Sequence, residues 1–119
     1  MLTIYGYHKC STCRDALQWL NTHGIPHTSK QIRETPPSPA ELKADLKILG
    51  GEIRMLFNTS GIDYRALGMK DRLPEMTEDE AIELLSKNGN LVKRPFLLDG
   101  GKALVGFKPE LWEKTLISR

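Results

Sequence analysis

Cys10-Ser11-Thr12-Cys13 holds the only two cysteines of the chain, with Lys9 and Arg14 adding positive charge on either side. Thiols at this spacing can run thiol–disulfide exchange: one thiolate attacks a sulfur, and the second closes a disulfide onto it to release the product. Cys10 stands where an apolar run gives way to a helical pattern. Unpaired N–H groups and the positive end of the helix dipole would favour a thiolate there, so Cys10 is expected to be the low-pKa nucleophile. Cys13, one turn along and shielded by the helix, is expected to resolve. Three other readings compete. A structural staple over so short a loop removes little unfolded-chain entropy. A zinc site needs four ligands; His8, Cys10 and Cys13 supply three, His23 and His27 lie beyond the first helix, and there is no second cysteine pair. Inert buried thiols would titrate near or above the free value of about 8.5. His8 reads as an exposed loop residue close enough to Cys10 to be tested as a base.

The elements around the pair follow from periodicity and caps. Leu2-Thr3-Ile4-Tyr5 reads as a strand, and Arg14 to Trp19 and Leu20 carry apolar residues at helical spacing. Gly24 ends that helix, and Ile25-Pro26 leads into a strand from His27 to Ile32, completing a β-α-β unit. Ser38, Pro39 and Glu41 announce a capped helix whose inner face is Leu42, Leu46 and Leu49, and Gly50-Gly51 stops it. Ile53 to Phe57 form a short apolar turn or helix, Asn58 to Gly61 a polar turn, Asp63 to Gly68 a short helical piece, and Met69 to Pro74 a charged connector. Thr77 and Glu80 open a second capped helix, with Ala81, Leu84 and Leu85 inward, that ends at Asn88-Gly89. Phe96-Leu97-Leu98 and Ala103-Leu104-Val105, joined by Asp99-Gly100-Gly101, read as an antiparallel hairpin. Pro109 starts a last helix with Leu111, Trp112 and Leu116 as core. This order predicts an α/β, thioredoxin-like fold, with a helical insertion from about residue 38 to 89 between its β-α-β and β-β-α halves.

At 119 residues the chain is expected to be one domain, residues 1–119. Its 39% hydrophobic and 27% charged residues are ordinary for a soluble protein, and no segment approaches the span of a membrane helix. Met1-Leu2-Thr3-Ile4 enters a strand without an export-signal pattern, which predicts a cytoplasmic protein whose cysteine pair cycles rather than stays oxidised. A net charge of +2, spread along the chain, argues against direct nucleic-acid binding.

Four motifs carry a resemblance over nearly the whole chain: Cys10-x-Thr12-Cys13-Arg14, Phe57-Asn58-Thr59-Ser60-Gly61, Leu91-Val92-Lys93-Arg94-Pro95 and Val105-Gly106-Phe107. Together they are similar to the arsenate-reductase-related family, which also includes the Spx-type transcriptional regulators. In the glutaredoxin-linked arsenate reductases, the cysteine matching Cys10 attacks arsenate, and three arginines bind the oxyanion. The resemblance implies that Arg94 is one of them and that Pro95 forms a cis-proline loop facing Cys10. Asn58 stands where the second arginine would be, and Gly106-Phe107 replaces an Arg-Pro pair, so a tetrahedral oxyanion would lose two bidentate partners.

The expectation is therefore an arsenate-reductase-like thiol–disulfide oxidoreductase of the reductase-like branch. Cys10, Cys13 and Arg94 carry the reaction, and Thr12, Arg94 and Pro95 meet the substrate, Thr12 either bonding the thiolate or merely capping the helix. The substrate would be a disulfide, a glutathione adduct or an arsenate-like anion. No bound cofactor or metal is implied, and glutathione, glutaredoxin or thioredoxin would serve as reductant. The alternative is an Spx-type redox sensor that binds RNA polymerase. Neither reading calls for a membrane partner.

Overall fold

The computed structural model describes residues 2–117 and centres on a mixed four-stranded sheet. β1 (Leu2–Gly6) lies inside it, paired in parallel with the edge strand β2 (His27–Gln31) and antiparallel with β3 (Phe96–Asp99). β4 (Lys102–Val105) pairs antiparallel with β3 and forms the other edge. Parallel pairing requires a crossover, and α1 (Ser11–Thr22) supplies it. Gly24, at φ +64°, turns the chain out of α1 toward β2.

Alternation along the strands sends side chains to two cores. Leu2, Ile4, Leu97 and Leu104 face α1 and α6 (Pro109–Leu116), where they bury Ala16, Leu20 and Trp112. Trp112 Nε1–H donates to the Gly106 carbonyl at 3.1 Å. Tyr5 and Phe96 point the other way, into a core completed by α2 (Pro39–Ile48), α3 (Ile62–Ala66), α4 (Met69–Arg72) and α5 (Glu78–Lys87). Both predicted capping boxes form. Ser38 Oγ accepts from Glu41 N–H while Glu41 Oε1 accepts from Ser38 N–H, and Thr77 and Glu80 repeat the exchange. Each cap stabilises its helix by about 1 kcal/mol. The thioredoxin-like order, with helices inserted between the two halves, matches the sequence-based expectation.

Two expectations are corrected. The segment Met69 to Pro74 is no connector: it forms α4 and a 3₁₀ turn at Leu73–Glu75. Met69 and Leu73, one helical turn apart, are both buried, so core packing overrides the charges between them. Leu111 is 45% exposed, whereas its neighbour Trp112 is fully buried. Adjacent helical positions point in different directions, and α6 has a single core-facing stripe.

Two close approaches position the site. Phe57 bridges Val92, Asn58 N–H donates to the Leu91 carbonyl at 2.7 Å, and Lys93 N–H donates to Leu56 at 2.8 Å, so the second and third sequence motifs lie side by side. At Gly89 a β-carbon would overlap the Ile32 carbonyl oxygen, so only glycine lets the 89–91 turn press against the end of β2. Within the insertion, Asp45 is wholly buried with both carboxylate oxygens unpartnered. Burial, together with the nearby Glu41 charge, pushes its carboxyl up to about 8. Glu41 Oε1 accepts from the Tyr5 hydroxyl at 2.8 Å, and burial first, then this bond, holds that hydroxyl above its ordinary range. No helix among the described residues is long and apolar enough to cross a membrane.

Candidate active site

Cys10 is the N-cap of α1, in an extended conformation at φ −92° and ψ 115°. Its N–H donates to the Tyr7 carbonyl at 2.9 Å, which folds the loop after β1 back on itself. Its Sγ accepts from the Cys13 N–H at 3.3 Å. The sulfur thus occupies the place a serine or aspartate oxygen takes in an ordinary cap, receiving one of the unpaired helix-start donors. Both cysteines are free thiols: Cys10 is half-buried and Cys13 only 1% exposed. Burial pushes the Cys13 thiol well above its usual value, and its hydrogen bond and charge interaction with Cys10 add to the rise. The Tyr7 backbone and the Arg94 charge act in the opposite direction. Cys13 packs so tightly on β1 that a β-carbon at Gly6 would lie 3.2 Å from Cys13 Cβ and 3.3 Å from its Sγ.

Arg94 precedes Pro95, and the bond between them is cis, as the resemblance implied. The Arg94 guanidinium carbon lies 5.2 Å from the Tyr7 ring centroid, and Nη1 is buried without a hydrogen-bond partner. A buried guanidinium nitrogen with no partner is poised for an acceptor. Thr12 is exposed in the first turn of α1, and the bond onto Cys10 Sγ comes instead from the Cys13 backbone. His8 turns to Gln31, its N–H 3.3 Å and its Nδ1 3.4 Å from Gln31 Oε1.

Beside Arg94 opens a groove of about 500 Å³ lined by Tyr7, Arg33, Asn58, Ser60, Asp63 and Asn90, among others. Arg33 and Tyr7 were absent from the sequence-based site. Arg33 Nη1 donates to the Tyr7 hydroxyl at 2.8 Å, and its guanidinium carbon lies 4.8 Å from the same ring, so one aromatic residue contacts both arginines. The signal was available: Tyr7 and Arg33 stand just beyond the C-terminal ends of β1 and β2, where open α/β sheets bind ligands. Asn58 lines the groove close to Gly61, where a β-carbon would fall 2.7 Å from Asn58 Nδ2. Gly106 takes φ +71°, and its N–H donates to the Pro95 carbonyl at 2.9 Å, so a left-handed backbone stands where the resemblance implies an arginine.

The model of the ArsC family matches residues 5–115. This chain belongs to the ArsC family. Among its relatives, the Bacillus subtilis (strain 168) protein YusI is 48% identical over 96% of this chain and 97% of its own length. The global transcriptional regulator Spx of Enterococcus faecalis is 32% identical over 92% of this chain and 82% of its own. A solved ArsC-family-related protein from Bacteroides fragilis superposes with a TM-score of 0.89 at 44% identity, covering 95% of each chain. The ArsC-family chain therefore carries the thiol–disulfide redox fold of the ArsC and Spx proteins together with a Cys-x-x-Cys pair.

Proposed function

We propose that the protein is a cytoplasmic thiol–disulfide oxidoreductase in which Cys10 attacks and Cys13 resolves. The observation that carries the reading is the Cys13 N–H on Cys10 Sγ at the start of α1, with the second thiol buried behind it. In the first step the Cys10 thiolate attacks one sulfur of a disulfide R–S–S–R′, forming Cys10–S–S–R and releasing R′–S⁻, which takes a proton from water. Burial still raises the Cys13 thiol, but once Cys10 is in that bond its hydrogen bond and charge no longer add to the rise, while Arg94 still favours the thiolate. Cys13 then gives its proton to water, attacks Cys10 Sγ and expels R–S⁻, which is protonated by water to R–SH, leaving the Cys10–Cys13 disulfide. A thiol reductant such as glutathione, glutaredoxin or thioredoxin returns both sulfurs to thiols.

Arg94 and the helix start would hold negative charge on the substrate, and Pro95 would shape the loop against it. Arsenate is a poor fit, because Asn58 and Gly106 supply no guanidinium. The test is turnover of a glutathione mixed disulfide and of a protein disulfide, with glutathione and thioredoxin as separate reductants. Sustained turnover lost in Cys10→Ser supports the reading, and a protein that is oxidised once and never recycled contradicts it. The similarity to Spx favours a second reading, a redox sensor that binds RNA polymerase; it predicts no turnover but redox-dependent binding of the polymerase.

A further inference from the structure

A cavity of about 200 Å³ opens on the face of β1 and β2 toward α1 and meets the arginine-lined groove at Tyr7. Its cause lies in the sequence of β2, His27-Thr28-Ser29-Lys30-Gln31, which has no apolar residue. The parallel register sets Ser29 beside Ile4 and Gln31 beside Gly6. Ser29 therefore stands where a packed sheet would present bulk to the helix, while Gly6 is backed by Cys13. Above them lie Cys13, Arg14 and Leu17 of α1, one helical turn of roof. The lining is apolar at Ile4, Leu17 and Cys13 and polar at His8, Arg14, Ser29 and Gln31.

Cys13 forms part of the wall, and its N–H lies 3.3 Å from Cys10 Sγ, so the space borders the resolving cysteine directly and the nucleophile through it. It is smaller than the clefts of about 300–1,000 Å³ that hold a whole drug-sized ligand, which limits the occupant to one group of a larger molecule. Apolar surface left open beside a nucleophile gains by burying an apolar group of whatever that nucleophile attacks. β2 is also an edge strand of the sheet, beside which an extended chain can lie.

We propose that this cavity is a specificity subsite for one aliphatic or aromatic side chain beside the reactive cysteine of a peptide or protein disulfide. The inference rests on the oxidoreductase reading and adds a substrate class to it: polypeptides with an apolar residue next to the cysteine. The reaction is unchanged: the reduced protein and a symmetric peptide disulfide yield two peptide thiols and the Cys10–Cys13 disulfide.

The experiment measures release of peptide thiol from two symmetric disulfides, of the peptides Ala-Leu-Cys-Leu-Ala and Ala-Ser-Cys-Ser-Ala, by the full reduced chain. The leucine peptide should react faster by about tenfold or more. Ser29→Leu, which fills the cavity from an exposed strand position, should bring the ratio of the two rates toward one. Leu17→Ala, which enlarges the cavity, should shift preference from leucine toward a phenylalanine peptide, so the subsite remains testable if one variant folds poorly. Equal rates for the two peptides, or a ratio that neither variant moves, overturn the subsite and leave the oxidoreductase reading standing. Failure to reduce either peptide overturns that reading, and the subsite falls with it.

Discussion

The two cysteines differ by position alone: a helix start gives Cys10 a donor and some access, whereas one turn further Cys13 is sealed against Gly6. Iodoacetamide at neutral pH should therefore label Cys10 far faster than Cys13, as read by mass spectrometry of the tryptic peptides; faster labelling of Cys13 would reverse the assigned roles. Arg94 is expected to act through charge-assisted bonds to an anionic substrate group, each contributing about 1.5–3 kcal/mol. Arg94→Ala should slow reaction with such a substrate by roughly 10–150-fold without lowering the unfolding midpoint. Arg94→Lys should recover part of the loss, because lysine keeps the charge but not the planar fork. The missing arginines separate on backbone grounds. Asn58→Arg can add a guanidinium to the groove and should raise arsenate affinity in calorimetry. Gly106→Arg should not, because φ is +71° and a β-carbon there lies 3.1 Å from Lys93 Cε.

At the scale of elements, the site depends on turns that bring distant segments together. Gly89 permits the contact between the 89–91 turn and the end of β2, so Gly89→Ala should destabilise by about 3 kcal/mol or more in denaturant unfolding and disturb the groove that holds Arg33 and Asn90. The signals that were legible are local ones. Both capping boxes, the stop at Gly24 and the glycine turn of the hairpin depend on a few adjacent residues whose chemistry is unambiguous. What was illegible depends on partners remote in sequence. α4 exists because Met69 and Leu73 reach a core built from other segments, Leu111 is exposed because it lies off the buried stripe of α6, and Arg33 joins the site only when β2 is laid beside β1. The strand that starts at His27 is legible in the sequence, but the space it leaves under α1 appears only once the register is known.

For the whole molecule, the two cores have different tasks. The α1 and α6 side carries the reactive helix, and the inserted helices support the arginine loop while burying Asp45. The folded protein favours the protonated Asp45, since its carboxyl is pushed up to about 8 from an ordinary 3.8. Its contribution is therefore greatest below the unfolded value and is lost as pH rises from about 4 through about 8. Denaturant unfolding across that window should show the wild type losing stability relative to Asp45→Asn by at least about 1 kcal/mol; parallel pH profiles would mean that Asp45 does not titrate there. The central claim concerns the cycle of the two sulfurs, and intact-protein mass spectrometry after reaction with a peptide disulfide tests it most directly. The wild type should end as a monomer with a Cys10–Cys13 disulfide and no attached peptide, whereas Cys13→Ser should stop with one peptide disulfide-bonded to Cys10. A peptide held on Cys13, a disulfide-linked dimer, or free peptide thiol and no adduct from Cys13→Ser would contradict the account.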